Sequence, residues 1–110
     1  IKLKDINSSF LKILRQMGPF GPENMNPTFL SRNIIASDVR TMGKEIEHLR
    51  CLVHQQNERI SFPAIGFKLG KYYEQIKEGK SFDIVFTLEE NFWQGKANWQ
   101  LNIKDIRFIE

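Results

Sequence analysis

The chain has a single cysteine, Cys51, in 110 residues. No intrachain disulfide is available, which excludes a cystine-stapled secreted scaffold and points to a reducing, cytoplasmic location. No apolar run approaches the ~18 residues that span a bilayer, and no basic-then-apolar leader opens the chain, so no membrane partner is expected. Histidine is almost as scarce: His48 and His54 are the only two, and without a third ligand they make no zinc set. Nucleophile elbows, phosphate-cradling glycine loops and acidic metal clusters are all missing. Asp83, Glu89, Glu90 and Asp105 border strands, where carboxylates are ordinarily surface charges. The net charge of +3 permits a polyanionic partner without requiring one.

The chain is nevertheless rich in material for a core, with 41% hydrophobic residues and nine Phe, two Trp and two Tyr. Its length suits one domain. It opens on Ile1 rather than Met, so a piece of a longer protein is expected. Ile1 and Leu3 alternate with lysines as in a brief strand; Ile6, Phe10, Ile13, Leu14 and Met17 then follow helical spacing, with Asn7 or Ser8 as the cap. Three of the four prolines fall between Pro19 and Pro27, which predicts a linker there.

From Ile34 the texture is that of strands. Ile34 to Thr41 predicts a first strand and Ile46 to Gln55 a second, with Leu49, Cys51 and Val53 on one face and His48, Arg50, Leu52 and His54 on the other. Gln56 to Glu58 reads as a turn into a third strand, Arg59 to Phe67, whose Pro63 requires an edge or a bulge. Lys68 to Ile76 has helical spacing. Phe82, Ile84, Phe86 and Leu88 mark a fourth strand, Glu89 to Asn98 reads as a loop, and the last strand slips phase at Lys104 and Asp105, as a β-bulge makes it do. Five short strands with a helix between the third and fourth is the order of an OB-fold barrel. An SH3-like or other five-stranded barrel shares the strand count.

Cations and flat side chains recur along this pattern: Arg40, Lys44, His48 and Arg50, then Phe67, Lys68, Lys71, Trp93, Lys96 and Trp99. Single-stranded nucleic acid is held by cations that follow phosphates and by rings on which bases stack. An OB-fold presents such groups on its second and third strands and on the loops joining strands one to two and four to five. Aromatic residues on strands more often serve the core, and Phe82, Phe86 and Phe108 are assigned there.

Several segments in order carry a resemblance: Gly18-Pro19-Phe20-Gly21-Pro22-Glu23-Asn24 with Pro27 and Phe29; Gly43 with His48-Leu49; Ala64-Ile65-Gly66-Phe67; Asn91-Phe92-Trp93-Gln94-Gly95; and Gln100 to Ile106. Together they resemble the carboxy-terminal part of the RecJ family, bacterial exonucleases specific for single-stranded DNA. The resemblance implies a parent that degrades single strands from the 5′ end in recombination and repair. Its Mn²⁺ or Mg²⁺ ions would be held by an amino-terminal DHH domain whose motifs do not occur here, so the chain alone is expected to hold no cofactor and cut nothing.

The same resemblance makes residues 1–27 the end of a preceding DHH-associated domain plus linker, and 28–110 the OB domain. It implies single-stranded DNA, the remaining domains of the polypeptide and repair proteins as partners. DNA-contact roles are expected for Arg40, Lys44, His48, Arg50, Lys68, Trp93 and Lys96. Gln94 departs from the family's usual Asn, and Glu45 and Glu47 set carboxylates beside the expected DNA face. The alternative role is a structural or protein-docking module without DNA contact.

Overall fold

The most regular alternation in the sequence becomes the wall of the core. Phe82, Ile84, Phe86 and Leu88 are all buried on one face of a strand that runs farther than the pattern predicts. The computed structural model describes residues 1–17, 27–45 and 47–108, apart from the side chains of Phe92, Trp93 and Ala97. All of the expected linker except Pro27 lies outside the described residues.

A 3-10 turn, Leu3–Asp5, and helix α1, Ser8–Met17, precede strands β1 (Thr28–Met42), β2 (His48–Gln55) and β3 (Ser61–Gly66). A second 3-10 turn, Gly70–Tyr72, runs into the short helix α2, Tyr73–Lys77, followed by β4 (Phe82–Trp93) and β5 (Lys96–Phe108). The strands close into a barrel in the order β1-β2-β3-β5-β4. Closure rests on a parallel junction in which Ala64 faces Leu101 and Ile65 faces Asn102; the other strand pairs are antiparallel. With a helix between β3 and β4 this is the OB-fold order, and it decides between the barrels that strand count alone leaves open.

One strand serves both sides of the barrel. The first half of β1 pairs with β4 and its second half with β2, with register shifts between Ser31 and Ile34 and between Ser37 and Arg40. Asn33 and Asp38 sit at those shifts with φ of 58° and 48°, a left-handed conformation that Asn and Asp tolerate better than most residues. The Asp83 carboxylate accepts the Asn33 N–H at 3.1 Å, so the first bend is tied across to β4.

Several sequence expectations are met with a physical reason visible. Asn7 caps α1 by accepting the Phe10 N–H at 3.0 Å. In β5 the slip falls at Lys104: Val85 pairs with Asp105 and Phe86 with Ile103, so one extra residue lets Ile103 and Ile106 both face the core. Pro63 lies on the part of β3 before its pairs with β5, opposite Leu52, where a missing N–H costs no ladder bond on that side.

Other expectations are corrected. Ile1 and Leu3 do not form a strand. The 3-10 turn sets Leu3 and Ile6 three residues apart, so both reach the core, and Asp5 accepts the Lys2 N–H at 3.1 Å. Strand β1 begins at Thr28 rather than Ile34, because Phe29 and Leu30 continue the ladder opposite Phe86 and Val85. Residues 89 to 98 are not an open loop. Pairing continues from Glu89 opposite Gln100 to Trp93 opposite Lys96, and Gln94 and Gly95 turn the chain with φ of 51° and 75°, the two positive values of a type I′ hairpin.

Both helices seal the barrel. Leu14 of α1 is buried with Leu3 and Ile6 in the same cluster as the strand residues, and the Phe10 ring packs 5.5 Å from Phe29, itself 5.8 Å from Phe86. Trp99, whose role the sequence leaves open, packs against this core. The Arg15 guanidinium lies over its ring at 5.4 Å and pairs with Glu90, the residue opposite Trp99 in the ladder. Ile76 of α2 is buried, and Tyr72 brings its ring to 5.7 Å from Phe108.

Candidate nucleic-acid interface

Strand alternation sends Leu49, Cys51 and Val53 inward and leaves His48, Arg50, Leu52 and His54 on the outer face of β2. Cross-strand register then assembles rows on that face. Met42 stands opposite His48, and Arg40 opposite Arg50; Arg50 in turn faces Ile65, and Leu52 faces Pro63. Two exposed guanidinium groups therefore occupy one cross-strand pair. Like charges placed directly opposite destabilise a sheet by up to about 1 kcal/mol.

Only one arginine of the pair has an ionic partner. Arg40 Nε donates to Asp38 Oδ1 at 3.1 Å, with both side chains largely exposed, and such a pair contributes little net stability. No carboxylate among the described residues is within salt-bridge reach of Arg50. Beneath the two arginines runs an open groove of about 430 Å³, lined by Met42, Leu52 and Pro63 together with Asp38, Arg40 and Arg50. Met42, Leu52 and Pro63 give it apolar wall, and Arg40 and Arg50 bring two cations to it beside the Asp38 carboxylate and Thr41.

Lys44 lies exposed in the turn between β1 and β2, beyond Gly43 with φ of 99°. Glu45 and Glu47 are exposed in the same turn, and the Glu47 carbonyl accepts the Gly70 N–H at 2.9 Å, tying that turn to the connection after β3. Lys68 is in that connection, and its N–H donates to His48 Nδ1 at 2.9 Å. Thus Arg40, Lys44, His48, Arg50 and Lys68 gather around one end of the β2–β3 face.

Lys96 and Trp93 do not join them. They form the last pair of the β4–β5 hairpin, and the Trp93 side chain lies outside the described residues. Because β5 runs parallel to β3 with Leu101 opposite Ala64, the hairpin tip belongs to the Ser61 end of β3, whereas Lys68 follows the Gly66 end. At ~3.3 Å per residue the separation along the strands is roughly 20 Å. The seven expected contacts therefore divide into a cluster of five and an outlying pair.

Sequence reasoning passed over the apolar part of this surface. Leu52 occupies the outward phase of β2 between Arg50 and His54, and an apolar residue in a polar phase was the available signal. Phe67, grouped with the flat side chains but not among the expected contacts, is 54% exposed.

Cys51 lies just under the groove and faces inward. Burial pushes its thiol up to about 12, because a thiolate cannot be solvated there. The folded chain is therefore expected to resist a disulfide exchange reagent at pH 8 and to react only on denaturation, as absorbance of the released thiol would report. The sign for stability follows: the unfolded thiol ionises from about pH 9 and the folded one only near 12, so stability declines across that interval as pH rises. His48 and His54 occupy opposite ends of β2. Among the described residues no three His, Cys, Asp or Glu side chains group as a metal site requires, and no helix among them is long and apolar enough to cross a membrane.

Comparison with known proteins supplies a family. A family described as the RecJ OB domain matches residues 1–105. The single-stranded-DNA-specific exonuclease RecJ of Bacillus subtilis (strain 168) is 30% identical over 108 residues, which cover 98% of this chain and 14% of that protein. Crystal structures of RecJ from Thermus thermophilus in complex with Mn²⁺ and with Mg²⁺ share the fold, with TM-scores of 0.64 and 0.62 at 21% and 20% identity. Each alignment covers 92% of this chain and 14% of the longer one. The chain thus spans about one seventh of the relatives it matches.

Proposed function

The chain belongs to the RecJ OB-domain family, and on that premise we propose that its β1–β2–β3 face grips single-stranded DNA for a metal-dependent 5′-to-3′ exonuclease. The catalytic DHH and DHH-associated domains lie elsewhere in the same cytoplasmic polypeptide, which acts in recombination and repair. Residues 1–27 bring the chain in from the preceding domain, anchored on the barrel by Leu3, Ile6 and Leu14.

The observation that carries the proposal is the Arg40–Arg50 cross-strand pair beside a groove to which Met42, Leu52 and Pro63 contribute apolar wall. Two opposed guanidinium groups are unfavourable in the empty sheet, and the fault is relieved when phosphates lie between them. Arginine suits this task because its planar fork donates two bonds to one phosphate. Lys44 and Lys68 extend the positive surface at one end, and Lys96 with Trp93 marks the other. Bases then meet Leu52, Pro63 and Met42, which duplex DNA, with its bases stacked inside, cannot offer. Phosphodiester cleavage needs the metal-bearing domains, so the chain holds substrate without hydrolysing it.

Fluorescence anisotropy of a labelled single-stranded oligonucleotide tests this. Binding is expected to exceed that of duplex and to fall with salt at a log–log slope of about −0.7 per phosphate contacted. No binding to single strands at low salt, or binding that ignores salt, would refute it. A second role, docking without DNA contact, draws support from Ile13 and Met17, exposed one helical turn apart on the outer face of α1. That role predicts that charge removal at Arg50 leaves DNA affinity unchanged.

A further inference from the structure

Phe67 and Leu69 are two apolar residues on one reverse turn with opposite fates. Leu69 folds back into the core over Gly66, where an added Cβ would stand 2.8 Å from Leu69 Cδ1. Gly66 therefore gives Leu69 its seat, while Phe67, two residues beyond Ile65 on the outward phase of β3, stays 54% exposed. Exposure of a large ring is unfavourable, and here it is not left loose. The His48 ring meets Phe67 edge to face, with centroids 5.4 Å apart and planes at 75°.

The backbone beside it is strained and latched. Lys68 has φ of 64°, rare for a residue with a Cβ. Its N–H donates to His48 Nδ1 at 2.9 Å, so one imidazole both supports the phenyl ring and secures the turn that presents it. An imidazole that accepts at Nδ1 carries its proton on Nε2, which remains a donor. Arg50 lies two residues along β2 and Lys68 adjoins the ring, so cations flank an exposed flat surface held by His48, whose cross-strand neighbour Met42 lines the groove.

Resting on the single-stranded-DNA reading above, we propose that Phe67 is the base-stacking platform of this interface and that His48 is the positioning residue that holds it. The ligand is one unpaired base with its neighbouring phosphates. A ring that stacks selects strands whose bases are free, since a paired base has both faces covered. Arg40 and Arg50 hold any backbone, whereas Phe67 makes the face respond to bases.

The test compares a labelled oligothymidylate with an oligomer of the same length built from abasic units, each titrated by anisotropy. Phe67→Ala and Phe67→Leu are expected to weaken oligothymidylate binding about 5- to 100-fold and leave abasic binding unchanged. Phe67→Tyr should retain affinity within about twofold, since its ring still stacks. His48→Ala should reduce the preference for bases, and His48→Asn, whose amide oxygen can accept the Lys68 N–H, should recover part of it. Thermal melts check that each variant folds.

If Phe67→Ala binds oligothymidylate like the parent chain, or weakens both oligomers equally, the platform is refuted while the DNA-binding reading stands. If His48→Ala keeps the parent preference for bases, the positioning role falls. If the unaltered chain binds neither oligomer, both readings fail together.

Discussion

Replacing Arg40 and Arg50 together with alanine is expected to reduce single-stranded DNA affinity about 10- to 100-fold at low salt, while making the free chain slightly more stable. The loss follows from two charge-assisted phosphate contacts at roughly 1 kcal/mol each. The gain follows from removing a like-charge cross-strand pair, worth a few tenths of a kcal/mol up to about 1. Opposite signs in two measurements are hard to obtain from a general defect in folding. The salt slope should also become shallower by about 1.4, because two phosphates no longer release counterions. Anisotropy titrations at several salt concentrations supply the slope, and urea unfolding supplies the stability. A double variant that binds as tightly as the parent would favour the docking role, and one that loses stability would show that the two guanidinium groups do not repel across the sheet.

Phe86→Ala is expected to have the largest effect on folding, about 3–5 kcal/mol. The ring has no exposed surface, sits in β4 opposite Phe29, and through Phe29 connects to Phe10 of α1. Truncation leaves a cavity among neighbours that belong to strands and cannot collapse independently. Against a total stability of about 5–15 kcal/mol, this lowers the melting temperature by roughly 15–20 °C. Circular dichroism melts check it. Phe67→Ala is the internal comparison: the same substitution at the exposed ring, which loses mainly the edge-to-face contact with His48, should cost no more than about 1.5 kcal/mol. Near-equal melts for the two variants would contradict the division between core and surface aromatics.

That division was only partly readable along the chain. Phe82, Ile84, Phe86 and Leu88 announce an inward face by alternation, and all four are buried. Phe67 carries no comparable mark. It continues the phase of Pro63 and Ile65, which are apolar like the inward residues of β3, so the segment alone does not mark which face is outer; pairing of Pro63 and Ile65 with Leu52 and Arg50 of β2 decides it. The hairpin over residues 89 to 98 was missed for a related reason. Glu89, Glu90, Asn91 and Asn98 are polar on both phases, so the ladder leaves no hydrophobic period, and Gln94 lacks the Asn that most plainly signals a type I′ turn.

The interface shows the same limit. Arg50 and His48 share a strand, so their common face follows from a period of two. That Arg40 stands opposite Arg50 depends on the register shift between Ser37 and Arg40, where Asp38 adopts a left-handed backbone. Lys96 and Trp93 matched the expected composition of a binding loop, yet the parallel junction of β3 with β5 carries them to the other end of the face.

Local chemistry therefore settled the number and order of the barrel strands though not their ends, where β5 is bulged, which aromatic residues build the wall, and which family the chain resembles, because each of these is written in neighbours a few residues apart. Which cations meet, which ring stays exposed and where the hairpin tip lies were decided by barrel closure, since strand register and the pairing of β3 with β5 join residues tens of positions apart and leave no periodic trace in either segment alone.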